Sequence, residues 1–126
     1  MNHITKKLNE INDLVKGNKW LDFSYEEINA SRVILIGSED LSYENFIFIK
    51  IIFDFPIEIS TILQDWTRKD EAPFIKLLSK EEILKTERSI PEEFCFFEIN
   101  VCGYENAPIK ILAKDINYEI YPNNVL

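Results

Sequence analysis

The chain has 126 residues, the length of one ordinary domain, since single cores run to roughly 100–200 residues before chains divide. With 46% hydrophobic residues, nine Phe and two Trp, it carries the apolar surface of a folded domain and not that of a disordered chain. Fourteen Lys and Arg against 22 Asp and Glu leave a formal charge of −8, which repels phosphate backbones and anionic membrane surfaces, so neither nucleic acid nor membrane is an expected partner.

In chain order, Ile4, Leu8, Ile11, Leu14 and Val15 recur at helical spacing with Asn, Lys, Glu and Asp between them, and Gly17 is placed to end the run. This predicts an amphipathic helix of about four turns. The start of the chain shows neither an apolar leader nor a small-residue cleavage site, so the expected compartment is the cytoplasm. Leu21, Phe23 and Tyr25 then alternate with Trp20, Asp22 and Ser24 as a strand does, and Ser24-Tyr25-Glu26-Glu27 has capping-box spacing for a short helical turn. Arg32 to Ile36 reads as a strand that stops at the turn formers Gly37-Ser38-Glu39-Asp40.

Phe46 to Phe55 is the strongest strand signal. Ile47, Ile49, Ile51, Phe53 and Phe55 fall on one face, predicted to be core, and Phe46, Phe48, Lys50, Ile52 and Asp54 on the other. The apolar run from Phe46 to Ile59 contains Lys50, Asp54 and Glu58 and is too short to cross a bilayer of about 30 Å as a helix. Pro56 removes a ladder donor, which predicts a bend or an edge before Glu58 to Leu63.

The stretch Gln64 to Glu71 reads as a polar loop or helix end, Phe74 to Leu78 as a short strand, and Ser79-Lys80-Glu81-Glu82 as a capping box opening a short helix to about Arg88. Phe94 to Val101 alternates again, a turn follows at Gly103 to Pro108, and Ile109 to Ala113 and Ile116 to Ile120 close the chain as strands. A helix followed by many strands with short turns is the pattern of an α+β fold: one domain over 1–126, with an N-terminal amphipathic helix packed on a mostly antiparallel β-sheet. Regular alternation of strand and long helix, as in a doubly wound nucleotide-binding sheet, is absent.

The one histidine, His3, cannot supply a His-based triad or a multi-histidine metal site, and three isolated glycines make no phosphate-cradling loop. Cys95 and Cys102 have no neighbouring His, Lys or Arg to favour a thiolate, and their odd offset along a strand argues against pairing. Glu39-Asp40 and Asp70-Glu71 lack the spaced pattern of a calcium loop. No catalytic residue, cofactor or metal is therefore assigned. Lys50, Asp54 and Glu98, inside apolar strands, would make a polar patch with Phe46, Phe48, Phe94 and Phe96 if those strands are neighbours. Trp66, within Gln64-Asp65-Trp66-Thr67-Arg68, is either a lid over the core or an interface anchor.

The acidity, the lone N-terminal helix, the strand-rich body and the stretch Val33-Ile34-Leu35-Ile36-Gly37-Ser38-Glu39-Asp40-Leu41-Ser42-Tyr43 together resemble the small acidic immunity proteins that bacteria pair with toxins. Twenty isoleucines against four alanines fit an AT-rich bacterial genome. The resemblance implies a non-enzymatic protein that covers a basic toxin domain with an acidic surface, with Glu39, Asp40, Asp54, Trp66, Asp70 and Glu98 as interface candidates. Two other classes stay open: a small-ligand or hydrolytic domain with a cleft walled by Phe48, Phe53 and Phe96, and a subunit that forms a homo-oligomer through a strand edge or aromatic face.

Overall fold

The computed structural model describes residues 2–17, 21–41, 47–61, 64–67, 73–86, 89–103 and 108–121. Helix α1 spans Asn2–Lys16, and its buried residues Ile4, Leu8, Ile11 and Val15 recur three or four apart, so one stripe faces inward. The Gly17 N–H donates to the Asp13 carbonyl at 3.1 Å and closes the last turn.

Strands β1 (Asp22–Ile28), β2 (Arg32–Ser38), β3 (Ile47–Asp54), β4 (Glu58–Ser60), β5 (Trp66–Thr67), β6 (Ile75–Leu77), β7 (Cys95–Ile99), β8 (Ile109–Ala113) and β9 (Asp115–Ile120) form two antiparallel sheets. The first has the order β5-β1-β2-β3-β9 and the second β4-β8-β7-β6. The inward positions of the longer strands are mostly β-branched or aromatic. Leu35, Ile49, Ile51, Phe53, Phe97, Ile99 and Ile111 are fully buried, and with the α1 stripe they make one core between the sheets. The α+β class expected from the alternation is what the chain forms.

Two strands cross from one sheet to the other at the same place. β3 pairs with β9 in the first sheet, β4 pairs with β8 in the second, and the joints Phe55 to Ile57 and Lys114 lie side by side. Lys114 N–H donates to the Asp54 carbonyl at 3.0 Å and Ile57 N–H to the Leu112 carbonyl at 2.9 Å, so the ladder continues through the corner. The four strands are one long two-stranded ribbon folded over itself. Its sharpest residue is Phe55, at a φ of 51°. The bend expected at Pro56 is therefore present. Phe55, expected in the core with the other odd-numbered residues of β3, is instead 58% exposed, because the left-handed turn breaks the period of two that would have carried it inward.

Helix α1 packs on both β9 and β6 and so bridges the two sheets. Its Asn12 carboxamide donates to the Ile75 carbonyl and accepts from the Ile75 N–H, both at 2.8 Å. On the opposite side β5 pairs with β1, and the Thr67 carbonyl accepts from Cys102 N–H at 2.9 Å. Two local expectations give way to this packing. Ser24 to Glu27 belongs to β1, with a bulge at Glu26, because Phe23 and Tyr25 find partners across the sheet where a helical turn would have none. Trp66-Thr67 is strand, not loop, because Trp66 inserts beside Phe23.

The second capping box does form. Helix α2 (Lys80–Lys85) starts at Ser79, whose Oγ accepts from Glu82 N–H at 3.2 Å while the Glu82 carboxylate accepts from Ser79 N–H at 3.0 Å. Hydrogen bonds from Lys76 and Ser79 hold the Glu82 carboxyl down at about 2. The helix ends at Thr86.

Candidate functional site

The outer face of the five-stranded sheet is built from three cross-strand rows. Ser24, Ile36, Lys50 and Glu119 stand opposite one another in the first; Glu27, Ile34, Ile52 and Asn117 in the second; Arg32, Asp54 and Asp115 in the third. The intervening row, Tyr25, Leu35, Ile51 and Tyr118, points to the core side, as the pleat requires. The centre of the outer face is therefore apolar: Ile34 is buried, and Ile36 and Ile52 are half-buried.

Charges surround this centre. Lys50 Nζ lies 2.9 and 3.1 Å from the two carboxylate oxygens of Glu26, 5.3 Å from the centre of the Tyr121 ring, and directly across from Glu119. The hydrogen bond to Glu26 raises the Lys50 pKa. Arg32 Nε bonds the Glu27 carboxylate, which pulls the Glu27 pKa down and pushes that of Arg32 up. Asp54 and Asp115, like charges facing each other, are kept apart by neighbours: Asn117 Nδ2 donates to Asp54 Oδ2 at 3.1 Å, while Lys7 Nζ and His3 Nε2 lie 3.9 and 3.6 Å from Asp115 Oδ1. Among the described residues the cations at this face, Arg32, Lys50 and Lys7, are thus held by its own side chains, and Glu26, Glu27, Asp54, Asp115 and Glu119 outnumber them.

The four-stranded sheet differs. Across its outer face Ser60, Lys110, Glu98 and Lys76 form one row, so Glu98 stands between two lysines, and Lys76 also pairs with Glu82. Phe96 and Leu112, opposite each other on that side, are 1% and 4% exposed.

The six residues singled out from sequence are dispersed by this architecture. Asp54 lies on the outer face just described, at the Arg32 end of β2. Glu39 and Asp40 follow the other end of β2, about 20 Å away at 3.3 Å per residue. There Asp40 N–H donates to Ser38 Oγ at 3.1 Å and Ser38 Oγ donates to the Asp40 carbonyl at 3.0 Å. Glu98 is in the second sheet, so the patch expected to join Lys50, Asp54 and Glu98 does not form: β3 and β7 are not neighbours. Asp70 lies outside the described residues, as does Phe46.

Trp66 is the lid rather than a surface anchor, 5% exposed and stacked on Phe23 at 4.9 Å, and its Nε1–H has no hydrogen-bond partner among the described residues. The cleft expected from Phe48, Phe53 and Phe96 is also absent. Phe53 lies in the inter-sheet core, Phe48 packs on that core from the β3 bulge, and Phe96 points out of the other sheet. Sequence reasoning missed Glu26, Glu27 and Glu119. The signal for Glu119 was there, in the polar positions Asn117 and Glu119 that alternate with Ile116, Tyr118 and Ile120.

Cys95 is buried, which raises its thiol pKa, and Cys102 is exposed in a turn; both are free. Among the described residues no three His, Cys, Asp or Glu side chains are grouped to hold a metal, and no helix is long and apolar enough to cross a membrane. Comparison with protein-family models, with curated proteins and with solved structures finds no match to this chain.

Proposed function

We propose that the protein is a non-enzymatic acidic binding protein of the immunity type, acting in the cytoplasm on a basic protein partner such as a toxin domain. The observation that carries this reading is the charge balance of the five-stranded sheet. Among the described residues its cations Arg32, Lys50 and Lys7 are already engaged by Glu27, Glu26 and Asp115, and carboxylates remain in excess there, in a chain whose formal charge is −8. An acidic field of this kind accelerates encounter with a cationic surface and rejects anionic ones.

Capture from lysate of the native host with tagged protein, repeated at low and high salt and read by mass spectrometry, tests the proposal. The expected result is one basic partner in stoichiometric amount, with an on-rate that falls as salt screens the encounter. Recovery of the protein alone, or of a partner whose on-rate ignores salt, would overturn it.

A further inference from the structure

Resting on that acidic-binder reading, we propose that the outer face of the five-stranded sheet is the docking surface, and that it takes a protein surface presenting Arg and Lys around an apolar centre. Three observations converge on this face. Ile36, two residues along β2 from the buried Ile34, and Ile52, opposite Ile34 on β3, are only half-buried, so apolar area remains to be covered. These side chains are β-branched and stand on the central strands β2 and β3, so little rotamer freedom is lost when a partner covers them. Around them, among the described residues, Glu26, Glu27, Asp54, Asp115 and Glu119 offer more negative charge than Arg32, Lys50 and Lys7 neutralise.

The other sheet has neither property. Its apolar outer side chains Phe96 and Leu112 are already buried, and its central charge Glu98 sits between Lys76 and Lys110. A second copy of this chain is a poor occupant of the proposed face, because it would set Glu26, Glu27 and Glu119 against their own like. A cationic partner meets no such cost, and Glu119, cross-strand from a Lys50 that Glu26 already holds, is placed to take its guanidinium or ammonium group.

The test uses the isotope-labelled full chain and, as probe, a synthetic peptide alternating Arg with Ile and Thr, titrated at low ionic strength. Amide shifts are expected to concentrate in β2, β3 and β9 around Ile36, Ile52 and Glu119. Glu119→Lys should weaken the peptide about tenfold, whereas Glu98→Lys should change it less than about twofold. Ile52→Thr, which keeps a β-branched residue on the strand, should weaken it a few-fold if the apolar centre takes part. Binding with shifts centred elsewhere, or equal loss from Glu98→Lys, would overturn the docking surface and leave the acidic-binder reading standing. No binding at low ionic strength would overturn both. A dimer in sedimentation that Ile52→Thr disrupts would assign the face to a second copy and overturn the cationic occupant.

Discussion

Asn12 stands in for a missing strand at Ile75. β6 is the last strand of its sheet, and its first residue, Ile75, would leave an N–H and a carbonyl unpaired at the edge; the carboxamide of Asn12 meets both at 2.8 Å. The same contact fixes how α1 lies against the second sheet, because only one rotation of the helix sets Asn12 over the edge and the Ile11 stripe over the core. Asn12→Ala should lower the unfolding free energy by about 1–2 kcal/mol. That is two hydrogen bonds of about 1 kcal/mol each, less the better helix propensity of Ala. Asn12→Asp should cost more, since a carboxylate would face the Ile75 carbonyl with no donor. Urea unfolding measures both, and an Asn12→Ala variant as stable as the parent would refute the role.

Gly37 is the second position where backbone economy decides packing. It sits within β2, opposite Phe23 and Ile49, and a Cβ there would lie 2.7 Å from Phe23 Cε1 and 3.0 Å from Ile49 Cγ2. The Phe23 ring occupies the space a side chain would need, and Phe23 in turn stacks on Trp66 and, at 4.5 Å, on Phe74. Gly37→Ala is expected to destabilise by about 1–3 kcal/mol, the usual cost of overpacking, despite the better strand propensity of Ala. A compensating Phe23→Leu should recover part of the loss, and a double-mutant cycle on thermal unfolding that shows simple additivity would refute the contact.

What the sequence made legible follows from how local each signal is. The stripe Ile4, Leu8, Ile11 and Val15 and the alternation Ile49, Ile51 and Phe53 report burial directly, since period and face are properties of one element. The capping box at Ser79 was legible because its two hydrogen bonds join residues three apart. Gly37 read as the start of a turn because a glycine that makes room for a distant ring looks the same in sequence as one that turns the chain. The site was harder still. Whether Asp54 and Glu98 share a face depends on strand order, which no local pattern encodes, and the folded ribbon sends β3 and β7 to different sheets. Glu26 and Lys50 meet only through the register of three strands and a bulge.

Tyr25 ties stability to alkaline pH. Its ring packs against the core, its hydroxyl hydrogen-bonds with Thr61, and burial raises its pKa from 10.0 to about 12, with the Thr61 interaction lowering it in part. The unfolded chain therefore loses this proton before the folded one. The stability held by Tyr25 is complete below pH 10.0, declines as pH rises, and is gone once pH passes about 12. Phenolate absorbance should show one tyrosine that ionises about when the fold is lost. Tyr25→Phe should remove that contribution to alkaline unfolding, and Thr61→Val should move the step higher. A Tyr25 phenolate formed near pH 10.0 in a chain that stays folded would contradict the assignment.

Phe55 carries the strain of the folded ribbon. A bulky side chain at a φ of 51° costs about 1–2 kcal/mol relative to a residue that accepts the left-handed region. Part of that is offset by Lys114 Nζ, 5.8 Å from the ring centre and also 5.6 Å from that of Phe94, an exposed cation–π arrangement contributing about 0.5–1 kcal/mol. Phe55→Asn gives up the ring but relieves the backbone, with no glycine-like gain in unfolded-state entropy, so it should match the parent or exceed it by up to about 1 kcal/mol. Phe55→Gly relieves the same strain while loosening the unfolded chain and should fall at or slightly below the parent. Phe55→Val combines the forbidden φ with branching at Cβ and should be the least stable, by about 1 kcal/mol or more. The ranking Asn, Gly, Val in urea midpoint is the test. Equal midpoints for Asn and Val would mean that the ribbon folds over without a left-handed residue at 55, and the corner would have to be attributed to Pro56 alone.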